Sequence, residues 1–174
     1  MVLIVSNFAA ANIPIDCDSP FDEVTDSETT ITSPNYPSNY DNGKDCQVTI
    51  RFAVDQIVLI TLEAFDVESE STCRYDYLAV HDGDSTSSNL IGSKLCGTDH
   101  VGSTIKSTGN TMTLHFHTDG SETRSGFKIN VISGKKYDLQ RYGGTKIFCK
   151  VKIFKRFCYI STFQVRAMFL VSWI

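Results

Sequence analysis

Between Cys46 and Val131 the chain repeats one device, a short run of alternating apolar and polar residues followed by a turn. Val48, Ile50 and Phe52 alternate with Gln47, Thr49 and Arg51, and the sets Met112/Leu114/Phe116 and Phe127/Ile129/Val131 follow the same rule. Successive side chains of an extended strand point to opposite faces, so each such run has one buried and one wet face. Ile57 to Phe65 is a longer apolar run rich in β-branched residues, expected to be a strand covered on both faces. Tyr75 to His81, closed by the turn pair Asp82-Gly83, and Leu90 to Cys96 complete the set. The body offers no convincing amphipathic helix. Many short strands at this spacing specify an all-β fold, an antiparallel two-sheet β-sandwich with one buried face per sheet.

Upstream, residues 18 to 45 are punctuated rather than periodic. Thr29 to Thr32 is a short β-rich stretch, stopped by Ser33-Pro34-Asn35-Tyr36-Pro37-Ser38-Asn39-Tyr40-Asp41-Asn42-Gly43. Two prolines and an Asn-Gly pair make this a turn-rich crossing that cannot be a central strand. Its tyrosines are expected to pack over a sheet edge. Cys17, Cys46, Cys73 and Cys96 follow one another at intervals of 29, 27 and 23, and neither they nor Cys149 and Cys158 form a CxxC pair. Zinc-ribbon and thioredoxin chemistry is thereby disfavoured. Four cysteines spread across a strand-rich body suit disulfides in an oxidising compartment, hence a secreted or extracellular protein. Residues 1–16 read as a leader or disordered start: Val2 to Val5 and Ala9 to Ala11 resemble an apolar region with a small-residue cleavage site, but no basic residue precedes them.

Charge divides the chain in two. Up to Ser133 there are 7 Lys and Arg against 19 Asp and Glu, a net −12; from Gly134 onward there are 9 against 1, a net +8. The acidic body argues against a nucleic-acid partner, because phosphate binding needs a basic face. The acids are concentrated in Phe65 to Gly83, FDVESESTCRYDYLAVHDG, where Asp66, Glu68, Glu70 and Asp76 have only Arg74 to offset them. Folded close together, they would repel and raise one another's pKa. A hard cation such as calcium, which takes about six to eight oxygen ligands, removes that cost. The competing reading is a solvated acidic loop before a strand. Asp119, in the turn His117-Thr118-Asp119-Gly120-Ser121-Glu122, is by itself ordinary turn chemistry. At one end of a sandwich, however, it can reach Glu68 and Asp76.

Several motifs in order carry a resemblance. SPNYPSNY (Ser33 to Tyr40), the four cysteines, FDVE (Phe65 to Glu68), CRYDYLAVHDG (Cys73 to Gly83), LCG (Leu95 to Gly97), TMTLHFHTDGS (Thr111 to Ser121) and GFKINV (Gly126 to Val131) together resemble a CUB domain. The resemblance covers Cys17 to about Ile132, so the expected division is 1–16, 17–132 and a basic, aromatic tail at 133–174 that matches no part of the pattern. It implies a jelly-roll-like sandwich with disulfides Cys17–Cys46 and Cys73–Cys96, each worth about 3 to 4 kcal/mol in the chain-entropy model. The calcium-binding branch of the family implies Glu68, Asp76 and Asp119 as ligands, with the main-chain oxygen of Ser121 as a further one. It also implies a partner Lys or Arg that pairs with the ligating carboxylates, with Tyr75 and His81 as possible neighbours of that contact. Glu122 stands where some relatives carry Asn, and either joins the site or faces solvent.

Other features carry less chemistry. His115 and His117 share one strand face at a spacing that can hold zinc, but their alternation with Leu114 and Phe116 makes them the polar face of an ordinary strand. No HExxH, GxSxG, P-loop or GxGxxG motif occurs. As a membrane span, Phe157 to Ile174 is short and carries Gln164 and Arg166; the tail reads best as an extension, with a Cys149–Cys158 bridge open. The function expected is a secreted, non-catalytic, calcium-dependent module that binds an extracellular protein. Two alternatives remain open: a non-catalytic piece of a larger secreted protease, astacin-like or serine type, and a glycan or cell-surface binder like the spermadhesins.

Overall fold

The computed structural model describes residues 12–19, 23–26 and 28–135 in full and, beyond them, the backbone of the strands at 141–142, 145–152, 155–162 and 165–170. The alternating runs become β1 (Asn12–Pro14), β2 (Glu23–Val24), β3 (Glu28–Thr32), β4 (Asp45–Arg51), β5 (Gln56–Asp66), β6 (Tyr77–His81), β7 (Thr104–Lys106), β8 (Thr111–His117) and β9 (Gly126–Lys135). One sheet runs β1-β3-β9-β5-β7 and the other β2-β4-β8-β6. Their inner faces meet as the period-two pattern requires. Ile31, Val58, Ile60, Leu62, Phe127, Ile129 and Val131 come from the first sheet, and Val48, Ile50, Leu78, Val80, Met112, Leu114 and Phe116 from the second; all are buried. Phe116 and Phe127 meet edge to face across the core, ring centroids 5.1 Å apart. This is the expected all-β sandwich.

Three details depart from the sequence reading. The edge pairs β1–β3 and β2–β4 are parallel, not antiparallel. Each of these strands is followed by one in the opposite sheet before the chain returns, and such a crossover brings the next strand back in the same direction. Leu90 to Cys96 forms no strand; it touches the sheet through isolated bridges, His81 to Leu90 and Leu78 to Leu95. Gly92, at φ +76°, sits between them in a backbone state that breaks a ladder. Finally, β5 is covered unequally on its two faces: Val58, Ile60 and Leu62 are all inside, whereas on the other face Ile57 and Phe65 are buried, Leu59 and Thr61 are half-buried, and Glu63 is exposed and pairs with Lys128 of the neighbouring β9 at 2.9 Å.

Residues Met1–Gly134 and Lys135–Ile174 fall into separate units. In the second, the backbone of β10 (Arg141–Tyr142), β11 (Thr145–Lys152), β12 (Lys155–Thr162) and β13 (Val165–Leu170) pairs as an antiparallel meander. Cys149 stands opposite Cys158 in register; their side chains lie outside the described residues, as do residues 1–11 of the expected leader.

Gly126 opens β9 beneath the turn-rich crossing. Its φ is +80°, and a Cβ there would fall 1.9 Å from the Oγ of Ser33, the buried hydroxyl that accepts the Phe127 N–H at 3.0 Å. Gly126→Ala should therefore destabilise the body by about 1–3 kcal/mol or more, read as a fall in the urea midpoint. An unchanged midpoint would show that this backbone position tolerates a side chain.

Candidate metal centre

Sheet register builds the site. Tyr77 of β6 pairs with His117 of β8, so the residues just outside that pair, Asp76 and the Thr118-Asp119 turn, emerge at the same end of the sandwich. Glu68 arrives from the other sheet, two residues beyond β5, where Val67 and Gly97 exchange backbone hydrogen bonds at 3.1 and 2.9 Å. One carboxylate oxygen from each of Glu68, Asp76 and Asp119 lies within 4.8 Å of the others. That is the spread allowed to atoms on a calcium coordination sphere of radius about 2.3–2.6 Å.

Tyr40 organises the cluster. Its hydroxyl donates to Asp76 Oδ2 at 2.7 Å and accepts the Glu68 N–H at 3.1 Å. The ring is buried edge-on against Phe116, with centroids 5.2 Å apart. Asp76 Oδ1 accepts the Asp119 N–H at 2.7 Å, so both oxygens of this 1%-exposed carboxylate are engaged. Burial, followed by the Asp76 carboxylate it faces, raises the Tyr40 phenol far above its ordinary pKa, so it stays a donor. Glu68 is different. Its Oε2 is buried with no hydrogen-bond partner. Burial, then the charges of Asp76 and Asp119, pushes its carboxyl above the usual range. An orphaned buried oxygen beside two carboxylates is the arrangement a hard divalent ion completes. Glu68, Asp76 and Asp119 therefore fit calcium.

A family model for the CUB domain matches residues 17–131. The chain belongs to the CUB domain family. It is 40% identical over 108 residues to human Tolloid-like protein 1, covering 62% of this chain and 10% of that protein, and 40% identical over 105 residues to pig cubilin, covering 60% and 3%. The chain thus spans a small fraction of these relatives. Among solved structures, the full extracellular region of zebrafish Gpr126/Adgrg6 is similar with a TM-score of 0.60 at 34% identity, covering 67% of this chain and 15% of that one. The crystal structure of the MASP-1 CUB2 domain bound to Ca2+ is similar with a TM-score of 0.56 at 27% identity, covering 64% and 96%.

The other residues singled out in this CUB domain separate by role. Ser121 adjoins the site, its N–H donating to Asp119 Oδ1 at 2.8 Å. Tyr75 is 37% exposed beside Asp76, and the Arg74 guanidinium stands 4.8 Å over its ring. His81 does not join them: it closes β6 five residues beyond Asp76, about 16 Å away along an extended strand, with Nδ1 on the Ser88 carbonyl at 2.9 Å. Glu122 turns outward to Arg124, 2.8 Å away. Of the other clustered acids, Glu70 accepts from Ser71 and Thr72, whose hydrogen bonds hold it down at about 2, and Asp66 accepts from Ser125. These two serve loop structure. The disulfides are Cys17–Cys46 and Cys73–Cys96; the second ties the loop ahead of Asp76 to Cys96, next to the Gly97 bridge that places Glu68. Sequence reasoning gave Tyr40 only a packing role, although it ends the SPNYPSNY run.

Two outcomes follow. Tyr40→Phe leaves the Glu68 N–H and one Asp76 oxygen without their partner and should cost about 1–3 kcal/mol, measured by chemical denaturation in chelator. The pH response follows from Glu68. With its folded pKa raised above the unfolded value, the folded state takes up this proton more readily, so the penalty present at neutral pH disappears as pH falls through the raised value. In chelator, wild type should gain stability relative to Glu68→Gln on acidification toward the ordinary carboxylate range. Parallel pH profiles for the two proteins would refute the assignment.

Proposed function

We propose that this chain is an extracellular calcium-dependent protein-binding module, acting by recognition rather than catalysis. Glu68, Asp76 and Asp119 hold the ion, with the main-chain oxygen of Ser121 as a further ligand. The observation that carries this reading is the convergence of three carboxylates from two sheets on a buried, unpartnered Glu68 oxygen. The similarity to a CUB domain solved with Ca2+ supports it.

Three carboxylates against a doubly charged ion leave about one net negative charge in fixed geometry. Calcium orders the loops beforehand, so a partner's Lys or Arg meets an acceptor without the cost of ordering it. Asp119 is partly exposed, and Tyr75, next to Asp76 in sequence, is exposed as well. The two disulfides and the acidic body are consistent with an oxidising, extracellular setting.

Calcium titration of the folded, oxidised protein should give a dissociation constant of about millimolar or tighter. The unfolding midpoint should rise, with stabilisation reaching about 2.7 kcal/mol when calcium stands a hundredfold above that constant. Asp119→Asn should abolish the shift while leaving the chelated protein folded. An extracellular partner captured through Lys or Arg should release in chelator. A midpoint indifferent to calcium would reduce the acids to a solvated loop.

A further inference from the structure

The outward face of the β2-β4-β8-β6 sheet gathers a second set of metal-ligating side chains. Same-face placement of His115 and His117 follows from the strand period; a third donor comes only from the fold. Asp45 of β4 lies directly opposite His117 in register. Its carboxylate sits between the two imidazoles, Oδ1 2.7 Å from His115 Nε2 and Oδ2 3.2 Å from His117 Nδ1. Two nitrogens from different rings thus turn inward to one carboxylate. On the far side of β8, Tyr77 flanks the rings, stacking on His117 at 5.1 Å and meeting His115 edge-on at 5.7 Å. The Lys94 ammonium caps the Tyr77 ring at 3.4 Å.

We propose that Asp45, His115 and His117 form a binding site for a borderline transition-metal ion of the Zn2+ or Cu2+ class, separate from the acidic centre. Imidazole nitrogens favour these ions, whereas calcium takes oxygen ligands. The side-chain exposures run 17% for His115, 34% for His117 and 68% for Asp45, so the ion enters from solvent on the Asp45 side. Among the described residues only the acidic trio has all its ligand atoms within 4.8 Å. The histidine site therefore closes around its ion by local movement: the exposed Asp45 carboxylate, among the described residues hydrogen-bonded through its side chain to the two rings, shifts from bonding the imidazoles to sharing the ion with them as the rings turn. Metal–ligand distances of about 2.0–2.2 Å then replace the longer hydrogen bonds. Water completes the sphere.

The test uses the full chain in its oxidised form, titrated with Zn2+ by calorimetry and with Cu2+ by electron paramagnetic resonance. Asp119→Asn, which disables the acidic centre, should keep the tight zinc phase. The double variant His115→Gln/His117→Gln should lose that phase by more than the roughly 10–100-fold that removal of an outer-shell partner costs. Its calcium-dependent rise in unfolding midpoint, or its unchanged denaturation midpoint in chelator if calcium proves inert, certifies the fold. Asp45→Asn should weaken zinc to a lesser degree. Copper bound to Asp119→Asn should show coupling to two nitrogens, absent from the double variant. Equal zinc affinity in wild type and double variant, or a copper spectrum with no nitrogen coupling that the double variant removes, would overturn the proposal.

Discussion

The hydrogen bond from Tyr40 to Asp76 holds the acidic end of the sandwich together. A carboxylate exposed to 1% is costly unless both oxygens have partners. Here one partner is a phenol from the N-terminal crossing and the other is the backbone of the Asp119 turn. The phenol in turn receives the Glu68 N–H. Three segments far apart in sequence are thus fastened to one buried charge, and the network engages both Asp76 oxygens but leaves a Glu68 oxygen orphaned. That asymmetry leaves the cluster able to accept a metal ion, as a fully satisfied core could not.

The sandwich makes this possible because it is rigid where the site needs rigidity. Asp76 and the Asp119 turn leave adjacent strands β6 and β8 at one register position. Glu68 is placed by the two-way backbone bridge between its neighbour Val67 and Gly97, beside the half-cystine Cys96. Loops on such a frame can be acidic and partly buried at once, since the large core of Phe116, Phe127 and their neighbours bears the fold's stability. The opposite, outward face of the same sheet is free to carry polar rings, so the imidazoles of β8 lie on its surface while Leu114 and Phe116 between them fill the core.

Much of the fold was legible in the chain because period-two alternation is a local property. β4 and β8 lie where their alternating residues placed them, within a residue or two at the ends, and β9 begins where expected but runs on to Lys135. Leu90 to Cys96 failed because an apolar run is not a strand until a partner pairs along it, and Gly92 interrupts the pairing. The short β7 escaped notice because Thr104–Lys106 carries too few apolar residues to show a period, and it exists through pairing with β5. The parallel edges were hidden for the same reason: direction depends on which sheet the chain visits in between.

By itself, the sequence determined the all-β class, the turn-rich crossing and the division between acidic body and basic tail, since these rest on neighbour-to-neighbour pattern and composition. The resemblance of its motifs then singled out Glu68, Asp76 and Asp119. Tertiary structure decided what those residues are worth. It turned Tyr40 from a packing side chain into the link between the Asp76 carboxylate and the Glu68 backbone, set Glu70 and Asp66 aside as acids engaged by nearby hydroxyls, and moved His81 to the far end of its strand. It also brought Asp45 between two histidines that sequence alone reads as surface. The physical reason is common to all of these. A charge acquires its chemistry from burial and from the partners that surround it, and in a sandwich those partners come from strands dozens of residues away.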